Sequence, residues 1–312
     1  MTLDPQAQAL LDKVEESGIP PYERLAPKLA RGFYDKACEI ARGEPPELFA
    51  VEDLSLPGPA GELSARCYRP SEQSGLPILV FFHGGGYTIG SLDSHDAVCR
   101  HLCAGADCLV VSIDYRLAPE HRFPAATEDA YAATCWVAEH ARELDGDASR
   151  IAVAGDSAGG NLSAVTCLNA RESGFPAICY QLLIYPGTDM TESFPSHNEF
   201  GEGYLLTSSL IGWFHTNYLP DDFDPKDWRC SPLHAADHSA LPPAHVLTAG
   251  YDPLQDEGRA YAEKLQAAKV PVSYTHYEGM LHGFITQPGF IDNAVNAVQE
   301  CAEKLHTAFY PE

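Results

Sequence analysis

Arg150-Ile-Ala-Val-Ala-Gly-Asp-Ser-Ala-Gly-Gly160 reads as a strand, a sharp turn and the start of a helix, with a serine at the turn. The apolar, partly β-branched run Arg150 to Ala154 predicts a buried strand, and Ser163-Ala-Val-Thr-Cys167 predicts a helix packed on a sheet. Glycines on both sides of Ser157 let the backbone turn sharply and let helix and strand approach closely. Such a turn lifts the Ser157 Oγ out at the top of the sheet, above a helix N-terminus. The short pattern by itself also fits an ordinary glycine-rich turn, so the reading depends on what accompanies it.

A serine hydroxyl is a poor nucleophile unless a base takes its proton and donors hold the resulting oxyanion. His83-Gly-Gly-Gly86 suits the second need. It follows Leu76-Pro-Ile-Leu-Val-Phe-Phe82, another buried-strand run, so the glycines fall in the loop at a strand's C-terminal end. Backbone without Cβ atoms can approach a ligand atom closely. The N–H groups of Gly84, Gly85 and Ala158 are therefore assigned as the oxyanion hole. His83 is expected to anchor this loop by hydrogen bonding, and Tyr87 either to line the pocket or to pack.

The base and its orienting acid should follow the serine, acid first. Ala244-His-Val-Leu-Thr-Ala249 predicts a strand with Asp252 just beyond its end, and Pro253 suits the first position of the next helix. Pro271-Val-Ser-Tyr-Thr-His-Tyr277 alternates like a strand and leads to the loop Glu278-Gly-Met-Leu-His-Gly-Phe284. His282, in that loop, is the expected general base. The chain holds 13 histidines, so position rather than residue type selects this one. His276 lies inside the strand and is expected as an exposed or edge side chain. Asp256 and Glu257 compete with Asp252, but a helix from Leu254 to Ala268 is expected to hold both, facing solvent or supporting its first turn.

Together these blocks resemble the bacterial hormone-sensitive-lipase-like carboxylesterases on the α/β-hydrolase fold. The resemblance covers most of the chain. It adds Asp114-Tyr-Arg-Leu-Ala-Pro-Glu-His-Arg-Phe-Pro-Ala125, Ser231-Pro-Leu233, Leu241-Pro-Pro243 and Asp252-Pro-Leu-Gln-Asp-Glu-Gly258 to the stretches above. It implies a triad of Ser157, Asp252 and His282 with an oxyanion hole of Gly84, Gly85 and Ala158, and no catalytic position departs from it. It also implies short- to medium-chain acyl esters as substrates, no cofactor, and a possible homodimer paired through Pro271 to Tyr277. The charged block from Asp114 to Ala125 is read as a loop held by internal ion pairs, and Asp156 as a cap or brace for the turn. An amidase or deacetylase using the same triad, a long-chain lipase and a non-catalytic receptor on the same fold are the competing readings.

Strand runs alternate with helical segments from about residue 77, the pattern of a mainly parallel sheet flanked by helices. Helices are expected over Ser94 to Ala106, Pro124 to Leu144 and Ile291 to Phe309. The last presents Ile291, Ala294, Val295, Val298, Cys301, Ala302 and Leu305 as one stripe. Leu48 to Val51 and Glu62 to Tyr68 are expected as antiparallel edge strands. The division that follows is 1–45 as an N-terminal helical part of a cap, 46–190 as the first part of the α/β core, 191–229 as a cap insertion, and 230–312 as the rest of the core. The two helical segments of 1–45 are split at Gly18-Ile-Pro-Pro21, and 191–229 carries the cluster Tyr204, Leu205, Leu206, Ile211, Trp213, Phe214 and Tyr218.

A formal net charge of −24 over 312 residues argues against nucleic acid or an anionic membrane as partner and says little about the substrate; the small-molecule ester expected as partner comes from the resemblance. No run of about 18 or more apolar residues occurs, and the first residues lack a basic and an apolar signal region, which predicts a cytoplasmic protein. The ten cysteines are read as reduced, small apolar residues, with no metal site at Cys99, Cys103 and Cys108 or at His234 and His238.

Overall fold

A computed structural model describes residues 2–311. The strands β1 (Ala50–Gly58), β2 (Gly61–Arg69), β3 (Leu76–Phe82), β4 (Leu109–Asp114), β5 (Gly146–Asp156), β6 (Tyr180–Ile184), β7 (Ala244–Tyr251) and β8 (Val272–Leu281) form one sheet. Their order is β1-β2-β4-β3-β5-β6-β7-β8. β2 is antiparallel to both β1 and β4, and the remaining neighbours are parallel. β2 is therefore an interior strand, and only β1 lies at that edge. The sequence suggested two edge strands because β2 alternates buried and more open residues from Leu63 to Cys67, as a half-covered strand does.

β3, β6 and β7 are buried at every position, as strands covered on both faces must be, which is why they read as unbroken apolar runs. Along β3 the side chains alternate between two cores. Leu76, Ile78, Val80 and Phe82 meet α4 (Ala125–Glu139), α5 (Ala158–Ser173) and α8 (Gln255–Ala267). Leu79 and Phe81 face α3 (Asp96–Ala106) and α9 (Asp292–Phe309). On α9 the buried stripe runs through Ala294, Ala297, Val298, Cys301, Ala302 and Leu305, with Ala297 in the place expected for Val295.

α1 (Pro5–Glu16) begins at an Asp4 cap, whose carboxylate accepts the Gln6 N–H at 2.8 Å. Its Ala7 and Leu10 join the α9 face of the sheet. α2 (Pro27–Ala41) goes elsewhere. Its Ala30 packs with Ile89, Leu206, Leu210, Ile211 and Phe214, the last three on α7 (Ser208–Tyr218), in a third cluster above the strand ends. Ser209 Oγ on α7 donates to Glu23 at 2.8 Å, tying the same two chain segments at the surface. A single-turn α6 (Ser196–Glu199) precedes α7. The cysteines are free thiols, all buried except Cys135 and Cys179, which are half-buried.

Candidate active site

β5, β7 and β8 deliver Ser157, Asp252 and His282 to one place. Ser157 follows β5 directly, at φ 54° and ψ −116°, a backbone state that side-chain-bearing residues rarely adopt. Its N–H donates to the Ile184 carbonyl at 2.9 Å, and its carbonyl accepts the Asn161 N–H at 3.0 Å. Gly159 permits this turn, because a Cβ there would collide with the Phe82 carbonyl at the end of β3.

Asp252 is fully buried, and its two carboxylate oxygens have separate tasks. Oδ1 accepts the Leu254 N–H at 2.8 Å, and Oδ2 lies 2.7 Å from His282 Nδ1. An ionised carboxylate only accepts hydrogen bonds, so Nδ1 carries the proton and Nε2 is left as a base. That Nε2 lies 2.8 Å from Ser157 Oγ. The Tyr185 ring packs beside the imidazole, with ring centres 4.7 Å apart. β8 continues to Leu281 rather than ending near Tyr277, and its register against β7 slips between Ala249 and Tyr251. His282 therefore directly follows a strand instead of sitting within a long loop. His276 is exposed on β8, its Nδ1 2.9 Å from Thr248 Oγ1.

The glycine loop departs from expectation at one residue. Gly84 N–H is already occupied, donating to Asp156 Oδ1 at 2.8 Å. It is not available to a substrate oxygen, so its assignment to the oxyanion hole is corrected. Among the described residues, neither the Gly85 nor the Gly86 N–H has a protein partner. Ala158 is the first residue of α5, where a backbone N–H has no partner within the helix. The Phe214 ring lies where a Gly86 side chain would project, so α7 covers this loop. Tyr87 is buried and stacks on Tyr218 with ring centres 3.8 Å apart.

The charged block after β4 is held from outside rather than by internal pairs. Arg116 forms a two-pronged bond with Asp129 of α4, and Glu120 pairs with Arg31 of α2 at 2.6 Å. Arg122 reaches the Thr216 and Asn217 carbonyls of α7. Asp114 is half-buried, and burial, with Asp35 and Asp93 nearby, raises its pKa.

Glu257 is the second correction. It does not face solvent; it is 1% exposed. Its carboxylate accepts the Thr188 N–H and, at 3.1 Å, the Asp189 N–H, and meets His197 Nε2 of α6 at 2.8 Å. The signal was present in the sequence, since Glu257 shares a helical stripe with Tyr261 and Leu265. Asp256, half-buried, accepts the Ser196 N–H and pairs with Arg259.

Among the described residues no three metal-ligating side chains converge, and no helix is long and apolar enough to cross a membrane. His234 pairs with Asp189, and His238 bonds the Pro232 carbonyl.

A parallel sheet, a serine at a strand-to-helix turn, and an acid and a histidine at later strand ends define the α/β-hydrolase class. A family model for the alpha/beta hydrolase fold matches residues 79–286. A carboxylic ester hydrolase of Mycobacterium tuberculosis, LipN, is 50% identical over 91% of this chain and 77% of its own length. An ethyl acetate hydrolase of Pseudomonas putida is 37% identical over 98% and 99% of the two chains. Among solved structures, an ester hydrolase from the metagenome of Lake Arreo, complexed with a derivative of bipyridine phosphonate, superposes with a TM-score of 0.96. It is 42% identical and covers 99% of each chain. The chain belongs to the hormone-sensitive-lipase-like carboxylic ester hydrolases of the α/β-hydrolase family.

Proposed function

We propose that the chain hydrolyses short- to medium-chain acyl esters through Ser157, His282 and Asp252. The observation that carries this reading is the continuous hydrogen-bonded line Asp252–His282–Ser157. As Ser157 Oγ attacks the ester carbonyl, His282 Nε2 takes its proton, and Asp252 holds the tautomer and steadies the imidazolium. The carbonyl π electrons move to oxygen, which becomes an oxyanion facing the N–H groups of Gly85, Gly86 and Ala158. Collapse breaks the bond to the alcohol oxygen, which leaves with the proton from His282, and Ser157 remains acylated. Water then gives its proton to His282, attacks the acyl carbon, and releases the acid as the proton returns to Ser157 Oγ. No cofactor is called for.

A cap built from residues 1–45 and 191–229 would exclude water from this chemistry. Supporting it, α2 and α7 share an apolar cluster with Ile89 of the glycine loop, and Phe214 lies over Gly86. An enclosed site of this kind favours short acyl groups, and a relative named for ethyl acetate agrees with that.

p-Nitrophenyl esters from acetate to palmitate, beside matched amides, test the reading. Turnover should peak at short acyl chains and exceed amide turnover. Ser157→Ala should lower kcat by about 10⁴-fold or more without unfolding the protein. Near-native turnover by Ser157→Ala would end this mechanism. A palmitate maximum would favour a lipase, and an amide preference an amidase.

A further inference from the structure

Gly84 opens the glycine loop with its peptide groups held on both sides. Its N–H donates to Asp156 Oδ1 at 2.8 Å, and its carbonyl lies 2.8 Å from His83 Nδ1. Burial, with His95 adding to it, pushes the His83 imidazole down to about 3, so the ring is neutral and gives its single proton to that carbonyl. Tyr115 fixes His83 in turn, donating to its carbonyl at 2.8 Å and stacking on its ring at 4.3 Å. Beyond this clamp, Gly85, Gly86 and Tyr87 follow at φ 116°, 55° and 58°, and the Gly85 carbonyl accepts the Thr88 and Ile89 N–H groups.

Asp156 is held in its own right. His95 Nε2 lies 3.0 Å from Asp156 Oδ1, and His95 Nδ1 lies 2.8 Å from Ser94 Oγ. Ser94 is fastened to Ser91, accepting its N–H at 2.8 Å and lying 2.9 Å from its carbonyl. Because a carboxylate only accepts, His95 Nε2 must carry a proton. The 3.3 Å approach of Gly84 N to the same nitrogen is then two donors sharing one oxygen. Burial opposes charge on Asp156, but His95, the Gly84 N–H and the more distant His282 outweigh it and hold the carboxyl below its ordinary value.

Ser94, His95 and Asp156 repeat the residue types of the reacting line with the imidazole reversed, its Nε2 toward the carboxylate. His95 is fully buried and Ser94 6% exposed, so this second line does not meet substrate. A plain packing role explains why Ser94 Oγ, the two His95 nitrogens and Asp156 Oδ1 are paired. It does not explain why an anion, costly to bury, stands immediately before the nucleophile, where negative charge is about to develop.

We propose that Asp156 and His95 are positioning residues for the oxyanion hole. They fix the Gly84 peptide so that the two N–H groups that follow remain unpartnered beside Ser157, and His95 offsets the negative charge that Asp156 would otherwise set against the oxyanion. The inference rests on Ser157 being the nucleophile. Loss of turnover in Ser157→Ala checks that reading separately, before any of the variants below is interpreted.

The experiment measures kcat and KM for p-nitrophenyl acetate, together with melting temperature, on Asp156→Asn, His95→Phe, His95→Gln and the double variant Asp156→Asn/His95→Phe. Removing one oxyanion donor outright costs about 10²–10³-fold in kcat, so a slackened hole should cost roughly 10–100-fold. Asp156→Asn and His95→Phe should each lose that much with KM within about twofold, and the double variant should be little worse than either, as coupled groups behave. His95→Gln, whose amide can still donate to Asp156, should recover most of the rate. Two results overturn the proposal: kcat within twofold of wild type in both single lesions, or equal losses in His95→Gln and His95→Phe that track melting temperature. If a lesion prevents folding, Ser94→Ala carries the test: it frees the His95 ring at Nδ1 and gives up two bonds to Ser91, while His95 and Asp156 themselves stay in place. A lowered kcat at constant KM supports the proposal, and an unchanged kcat overturns it.

Discussion

At the scale of single residues, the turn at Ser157 exists because its neighbours yield space. Ser157 takes a left-handed φ, and Gly159 lets α5 start against the Phe82 carbonyl. Gly159→Ala forces helix and strand apart, an overpacking lesion that should cost about 2–3 kcal/mol in urea unfolding and lower turnover with it. A wild-type midpoint would contradict the contact. Ser157, Asp252 and His282 were legible as candidates because each follows a strand-like run, in the chain order of the α/β-hydrolase fold. Gly84 could not be sorted from Gly85 in the same way. Its N–H is taken by a side chain 72 positions away, and only the folded chain brings the two together.

At the scale of elements, α6 and the first turn of α8 form a clamp behind Asp252. His197 bonds Glu257, and Ser196 Oγ donates to the Pro253 carbonyl at 2.6 Å. Burial disfavours charge on His197, but the hydrogen bond and charge of Glu257, with Glu192 and Asp252 beyond, outweigh it and raise the imidazole above its ordinary value. Burial also leaves Glu257 raised, despite the hydrogen bonds from His197, Thr188 and Asp189. Both shifts mean that the folded state holds protons more tightly than the unfolded one. The His197 contribution is therefore complete below about pH 6.5 and is lost as pH climbs through the raised folded value, at a slope of at most about 1.4 kcal/mol per pH unit. The melting temperature should fall from pH 6.5 to 8.5, and less steeply in His197→Gln. Parallel curves for the two proteins would refute this role. Strands such as β3 were legible because complete burial leaves an unbroken apolar run. The extension of β8 to Leu281 was not, because it depends on a register slip against β7.

At the scale of the whole molecule, charge and sheet edge act against each other. β8 ends the sheet, so the homodimer expected through Pro271 to Tyr277 would have to pair this edge. Two chains of net charge −24 repel, with a screening length of about 10 Å in 0.1 M salt and about 30 Å in 0.01 M. If β8 pairs, sedimentation should shift from monomer toward dimer as salt rises between these values. A monomer at both strengths, at micromolar protein, would dismiss the pairing. The seating of α1 bears on how the molecule is made. The Asp4 N–H donates to the Gly279 carbonyl at 3.1 Å, and the Gln6 side chain accepts the Asp292 N–H at 2.9 Å. On a ribosome α1 emerges early, but its seat is synthesised more than 270 residues later, in the same stretch that brings His282. Until then Ala7 and Leu10 lack the β8 and α9 surface against which they are buried in the folded chain. A translation product halted before that stretch would lack both His282 and the bonds that seat α1, so on the proposed mechanism one missing segment would leave it at once unfastened and inert.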